Sequence, residues 1–257
     1  MDMIAISLQS GSNGNCIYVE ACGVKLLFDA GINGVQAERR LSMHGRDIRE
    51  VDGVIISHDH ADHARYAGVY QRKYGVPLFI TPKTFDAAEE RHSLGRLRDV
   101  CSFQSDGTLR FGEVEVRAIP TPHDGADGAA FVVEAQGKRL GILTDLGHVF
   151  NGLERLVATL DAVFLESNYD PGMLNAGSYP AFLKRRIAGP AGHISNSDAA
   201  ELLRACGCDR LKWACLAHLS EENNSHSVAL KTHRSIIGAD LDLHVAGRHR
   251  PTGILSV

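Results

Sequence analysis

The stretch "VIISHDHADH" brings His58, Asp59, His60, Asp62 and His63 together directly after a run of aliphatic residues. Imidazole and carboxylate are ligands for divalent cations, and imidazole is also the acid or base available near neutral pH. His58 and His60 leave the aliphatic strand in extended form, where residues two apart point the same way, so both rings can reach one ion. Asp62 and His63 come next, where a helix begins, and can turn toward a second ion. No Cys lies nearby. The nitrogen-and-oxygen donor set fits a site that keeps a position open for water better than a closed structural zinc. A charged turn at a strand end needs no such density of donors.

A metal site of this kind requires more donors at later strand ends. His123 in "AIPTPHDG", Asp145 in "GILTDLGH" and His218 in "ACLAHLS" each directly follow an apolar stretch. Two divalent ions roughly 3.5–4 Å apart can supply hydroxide at neutral pH and neutralise charge on a phosphoryl or carbonyl oxygen. His/Asp ligation suits Zn2+, Mn2+ and Fe2+ alike, so the expected cofactor is two divalent ions of one of these kinds.

The donors need strand ends to hold them. "MIAISL", "NCIYVEA" and "VKLLFDAG" predict three strands, and "GVQAERRLSMHG" a helix with a Gly stop. "VDGVIIS" is a strand, "ARYAGVYQRKYG" a helix, "VPLFI" a strand and "TPKTFDAAEERHS" a helix. Between residues 100 and 144 short strands follow one another: "DVCSFQ", "TLRF", "EVEVRAIP", "GAAFVVEA" and "KRLGILTD". The remainder alternates: "FNGLERLVATL" helix, "DAVFLES" strand, "NSDAAELLRAC" helix, "RLKWACLAHLS" strand, "NSHSVALKTHRSIIG" helix and "DLHVA" strand. This order predicts an α+β fold of two mixed sheets with helices on their outer faces. No dinucleotide or P-loop glycine signature occurs. With no repeat or Pro/Ser-rich linker, residues 1–257 read as a single domain.

Apolar residues make up 44% and charged residues 23% of the 257, as in ordinary globular proteins. The formal charge of −4 excludes a protein that coats nucleic acid through its overall field, leaving room for a local basic groove. No apolar run reaches membrane-spanning length, and the amino terminus lacks a signal-peptide pattern. Cytoplasmic residence with no membrane partner is the expectation. The six cysteines lack disulfide-framework spacing and read as buried free thiols, "CGC" at Cys206–Cys208 included.

H-x-H-x-D-H followed by His, Asp and His resembles the metallo-β-lactamase superfamily. The resemblance implies an αβ/βα four-layer sandwich with two metals at the sheet edges. His58, His60 and His123 would hold the first ion, Asp62, His63 and His218 the second, with Asp145 bridging them. Asp29 in "LLFDAG" would orient the loop from behind the ligands, and His148 in "DLGHV" would sit at a similar remove. Glu166 in "FLESNYD" and His193 in "GHISNSDAA" match the acid and histidine of phosphodiesterase branches such as ribonuclease Z. There the histidine protonates the leaving oxygen and the acid holds it charged. Asp62, Glu166 and His193 are therefore the candidate catalytic residues.

Longer segments, among them "SGSNGNCIYVE", "RKYGVPLFIT", "LTDLGHV", "YPAFLKRRI" and "LAHLSEENN", resemble the YycJ/WalJ group of that superfamily. The group implies a metal-dependent 5′-to-3′ DNA exonuclease acting in DNA repair, with a metal-bridged hydroxide as nucleophile. Tyr169 stands where the pattern has His, and His226 where it has Pro. Only 47 residues, 146–192, separate Asp145 from His193, so the β-CASP insertion is absent. Nucleic acid, with DNA as the expected form, would then bind along the sandwich rim. Ser12, Asn13, Lys184, Arg185 and Arg186 are the candidate contacts, and Arg65, Arg72, Lys73 and Arg248 to Arg250 are further basic candidates. The alternatives are an RNA-processing or small cyclic-phosphate phosphodiesterase, or a glyoxalase II-like esterase or lactonase; protein partners are unassigned.

Overall fold

The computed structural model describes residues 3–207 and 210–257. Six strands come first: β1 (Ile4–Gln9), β2 (Cys16–Ala21), β3 (Val24–Phe28), β4 (Gly53–Ile55), β5 (Leu78–Ile80) and β6 (Val100–Ser102). Seven follow: β7 (Thr108–Phe111), β8 (Val114–Pro120), β9 (Ala129–Ala135), β10 (Lys138–Leu143), β11 (Ala162–Glu166), β12 (Trp213–Ala217) and β13 (Asp242–Val245). A short β14 (Leu255–Ser256) returns to pair with β1. The first sheet has the order β14-β1-β2-β3-β4-β5-β6, and the second β13-β12-β11-β10-β9-β8-β7. Both are mixed: β14 and β1–β3 are antiparallel, as are β7–β10, whereas β4–β6 and β11–β13 continue each sheet in parallel. This is the αβ/βα four-layer arrangement that the sequence resemblance implies.

Strand alternation divides the apolar residues between two faces. The inward set of both sheets, including Phe28, Ile55, Phe131, Val133 and Phe164, forms one core between them. Phe28 of β3 and Phe131 of β9 meet across it, their ring centroids 5.3 Å apart. The outward set of the first sheet packs under α1 (Gly34–Ser42), α3 (Ala67–Tyr74) and α4 (Pro82–His92) through Leu27, Leu41, Tyr70 and Ala88. The outward set of the second packs under α5 (Leu153–Val157) and α8 (Asn196–Cys206) through Val163, Leu165, Val157 and Leu203. Side-chain caps start three of these helices, where the sequence places Asn, Thr and Ser. Asn33 caps α1, Thr81 caps α4, and Ser195 with Asp198 forms a capping box on α8.

The helix expected over "ARYAGVYQRKYG" is α3, which starts three residues later at Ala67, and a separate turn, α2 (Ala61–Ala64), comes before it with Arg65 and Tyr66 between them. The carbonyls that would continue α2 are taken by other loops. Asp62 O accepts Asn15 N–H at 2.7 Å, and His63 O accepts Ala30 N–H at 2.7 Å. Gly31 makes that approach possible, since a Cβ there would lie 1.7 Å from Asp62 O. The helix read over "FNGLERLVATL" shrinks to the five residues of α5, because Gly152 at its start has φ +90°. Two short helices not expected from the sequence, α6 (Pro171–Ala176), which Asp170 caps ahead of Pro171, and α7 (Ala181–Ile187), lie between β11 and α8, and α9 (His226–Ile237) precedes β13.

Cys16 and Cys215 are buried as expected, whereas Cys22 and Cys206 are half-buried and Cys101 is exposed. Cys208, the other half of "CGC", lies outside the described residues. No helix among the described residues is long and apolar enough to cross a membrane.

Candidate metal centre

Parallel register carries the donors to one edge of the sandwich. Phe28 pairs with Ile55, so Asp29 and the residues after β4 emerge side by side. Leu143 pairs with Leu165 and Glu166 with Ala217, so Asp145, Glu166 and His218 leave adjacent strand ends. Asp29, Asp145 and His218 all have positive φ, at 67°, 55° and 55°. Such left-handed backbone costs a non-glycine residue on the order of 1–3 kcal/mol, and here it turns each side chain back over the edge.

The side chains form overlapping groups. His58, His60 and His123 bring their donor atoms within 4.8 Å of one another, and so do Asp62, His63 and His218. Asp145 falls between them, grouped with His58 and His63 on one side and with Glu166, His193 and His218 on the other. His60 is the N-cap of α2, yet its ring makes no capping bond and stays with the cluster. Gly125 leaves room for the His58 ring, which a Cβ there would meet at 2.7 Å.

Partners behind the cluster fix the ring orientations. Asp29 accepts Ser57 N–H at 2.8 Å and the Ser57 hydroxyl at 3.0 Å, and His63 Nδ1 lies 2.7 Å from it. His123 Nδ1 donates to Gly192 O at 2.8 Å. With Nδ1 occupied in both rings, Nε2 is the nitrogen that His63 and His123 turn toward the cluster. His58 Nε2 and Asp145 Oδ2 are buried with no hydrogen-bond partner, Asp145 Oδ2 having only the His63 ring, at 3.3 Å, as an ion-pair neighbour. Orphaned buried atoms of that kind carry a desolvation penalty, which a cation held between them would offset.

Electrostatics point the same way. Burial, followed by the neighbouring imidazoles of His63, His123 and His60, holds His58 neutral far below the usual histidine range. Burial also lowers His60, with His123 adding to the effect. Burial opposes protonation of His63, but Asp145, Asp29 and Asp62 prevail and raise it well above that range. The same contest at His218, won by Asp145, Asp62 and Glu166, pushes it up to about 10. Against burial, nearby histidines keep Asp62, Asp145 and Glu166 ionised below the usual carboxylate range. A cluster with neutral donors, ionised carboxylates and protons that a cation could displace fits a divalent metal.

The family model for the β-lactamase superfamily domain matches residues 25–218. Exodeoxyribonuclease YycJ of Bacillus anthracis is 33% identical over 256 residues, covering 96% of each chain. Exodeoxyribonuclease WalJ of Streptococcus pneumoniae is 36% identical over 228 residues, 88% of this chain and 84% of that one. The chain belongs to the metallo-β-lactamase superfamily, in its YycJ/WalJ group. The fold of YhfI from Bacillus subtilis superposes with a TM-score of 0.74 at 16% identity, covering 98% of this chain and 99% of that one.

In this YycJ/WalJ-type chain Glu166 and His193 meet beside the cluster, Oε1 to Nδ1 at 2.7 Å. The other Glu166 oxygen accepts Leu146 N–H at 3.0 Å, which fixes the carboxylate. His148 is exposed and bonds Pro190 O at 2.7 Å, touching the loop ahead of His193 rather than any of the donors. Ser12 and Asn13 line a cavity of about 150 Å³ together with Asp62. The three basic residues of α7 are engaged differently. Arg186 bonds Asp124 at 2.7 Å, Lys184 bonds Asn175 O at 2.7 Å, and Arg185 has no ion pair among the described residues.

Sequence reasoning missed several supports. Asn15 Nδ2 lies 3.0 Å from His63 Nε2 and 3.4 Å from Asp62 Oδ2. Asp124 Oδ1 lies 3.4 Å from His60 Nε2 and 3.5 Å from His123 Nε2. Asp59 is fully buried, its carboxylate held by Arg91 and the Ala126 N–H. Asp124, adjacent to His123 in "PHDG", was open to detection; Asn15, in a glycine-rich turn, was not.

Proposed function

We propose that the protein is a two-metal phosphodiesterase, specifically a 5′-to-3′ exonuclease on DNA with a role in its repair. A metal-dependent hydrolase of the nuclease and phosphodiesterase kind is what its group comprises, and both curated relatives are named exodeoxyribonucleases. The chain is read as one domain, with no insertion between Asp145 and His193. His58, His60 and His123 would hold one cation, Asp62, His63 and His218 the other, with Asp145 shared between them. Zn2+ or Mn2+ suits these donors, and Fe2+ is compatible with them. When bound, the cations supply Lewis acidity that lowers the pKa of water and takes up charge on a phosphate oxygen.

The observation that carries the phosphodiester reading is the 2.7 Å contact between Glu166 and His193. An ionised Glu166 can only accept, so His193 Nδ1 carries a proton and Nε2 is the position from which a second leaves. Held in this orientation by Glu166, the ring presents Nε2 to hand a proton to the departing 3′-oxygen of the cleaved ester. An alkoxide leaves poorly near neutrality, so this step is worth typically 10²–10⁴-fold. Asp62, at the wall of the cavity beside Ser12, is the carboxylate placed to orient and deprotonate the attacking water. An esterase or lactonase of the glyoxalase II kind would have no use for the Glu166–His193 pair.

The test is chelator-reversible hydrolysis of end-labelled DNA, of RNA and of bis(p-nitrophenyl) phosphate. Release of mononucleotides from the 5′ end of DNA is expected. Turnover of RNA alone would replace DNA with RNA as substrate, and turnover of a thioester or lactone alone would overturn the phosphodiesterase reading.

A further inference from the structure

Two cavities adjoin along α1 and share Gln36 in their walls. The smaller opens at Asp62 and includes Arg65. The larger, about 520 Å³, is lined by Arg39, Arg40, His249 and Arg250. Together they form a trough running from the candidate metal centre to the loop after β13.

The trough carries unneutralised positive charge. Arg40 is buried as its floor, donating to Leu8 O at 3.0 Å, to His249 O at 3.1 Å and to Gln9 Oε1. These acceptors are neutral. Among the described residues no carboxylate lies within ion-pair distance of Arg39, Arg40, Arg65 or Arg250. Arg248, next to them in sequence, is by contrast tied to Glu221 at 2.9 Å. In a chain of formal charge −4, four uncompensated guanidiniums along one trough make a local field that attracts an anionic chain. A buried cation without a counter-charge is costly, and a phosphate drawn into the trough relieves that cost.

We propose that this trough is the track along which the backbone of a nucleic-acid strand leaves the metal centre, with phosphates on Arg65, Arg39 and Arg250. The proposal rests on the phosphodiesterase reading for its substrate class. From Gln36 to Met43 the helix spans about 10 Å at 1.5 Å per residue. That length is enough for a few phosphates of one strand to pass Arg39 and Arg250. Helix α7, which carries the basic run of the sequence, is a weaker track, because Arg186 and Lys184 are already bonded within the protein.

The experiment measures binding of a fluorescent phosphorothioate oligonucleotide, which keeps its charges and resists cleavage, to the metal-loaded protein over a range of salt. Arg39→Ala combined with Arg250→Ala should weaken binding about tenfold and flatten the log–log salt slope by about 1.4, at about 0.7 per phosphate contact of a single strand. Gln36→Lys should tighten binding by adding a cation where the cavities join. Arg96→Ala with Arg98→Ala, which empties a separate basic pocket of about 480 Å³ near the end of α3, is the control for net charge. An equal loss in the control, or an unchanged slope in the Arg39/Arg250 variant, overturns the trough. Binding needs no turnover. Wild-type protein that binds through the trough but cleaves no phosphodiester would leave the trough standing and sink the proposed function.

Discussion

His193 has one ring nitrogen on Glu166 and the other free to move a proton, and this separates its task from that of the buried donors. If it serves the leaving group, its removal should matter in proportion to how badly that group needs a proton. His193→Ala should lower kcat on DNA by about 10²–10⁴-fold and on bis(p-nitrophenyl) phosphate far less, because p-nitrophenolate leaves unaided. Metal content measured on the same preparations should stay at the wild-type level. Equal losses on both substrates, or lost metal, would instead make His193 a ligand. Asp29 makes the complementary case, since it holds Ser57 and His63 without standing among the donor groups. Asp29→Asn keeps the shape but weakens the charge behind His63, and should cost about 10–100-fold in metal affinity by competitive chelator titration.

At the scale of elements, α9 contains a titrating group of its own. His233 is fully buried, its Nδ1 donating to Ala229 O at 2.9 Å while Nε2 has no partner. Burial lowers its pKa from 6.5 to about 4. Above pH 6.5 folded and unfolded chains both keep the ring neutral, and this contribution to stability is intact. As pH falls toward 4 the unfolded chain takes up a proton that the folded one refuses, so stability is lost over that window. At about 1.4 kcal/mol per unit the loss reaches roughly 3 kcal/mol. His233→Leu should flatten the acid side of the urea-midpoint profile relative to wild type. Parallel profiles would mean that the ring protonates in place. Elements such as α9 were legible because a Ser cap, an apolar stripe and a Gly stop mark them in the chain. The helices α6 and α7 were not: α6, despite its Asp170-Pro171 start, is too short to show a periodic stripe, and α7 buries no residue and so leaves none. The break between α2 and α3 was also hidden, because it depends on carbonyls captured by Asn15 and Ala30 from distant loops. The seven candidate donors were legible because each follows an apolar stretch, and Asp124 stood beside one of them; the support at Asn15 acts through tertiary contacts that no local spacing encodes.

For the whole molecule, the donors come from both sheets: His58, His60, Asp62 and His63 follow β4 of one, and His123, Asp145 and His218 follow strands of the other. A cation held by both sets therefore ties the two halves of the sandwich together, and its binding energy adds to folding stability. At a free concentration a hundredfold above Kd the gain is about 2.7 kcal/mol, or roughly 5–10 °C in Tm for a chain of this size. The pH dependence follows from the protons the cation displaces. In the chelated protein His63 and His218 have raised pKa values, about 10 for His218. Their contribution is complete below the unfolded value of 6.5 and declines as pH rises through the folded one. In the metal-loaded protein the opposite holds, because fewer protons compete and affinity rises with pH. The difference in Tm between loaded and chelated protein should therefore widen from pH 6.5 upward, measured by calorimetry in matched buffers. A gap that stays constant or narrows would show that His63 and His218 release no protons to the cation, and would remove both from the ligand set.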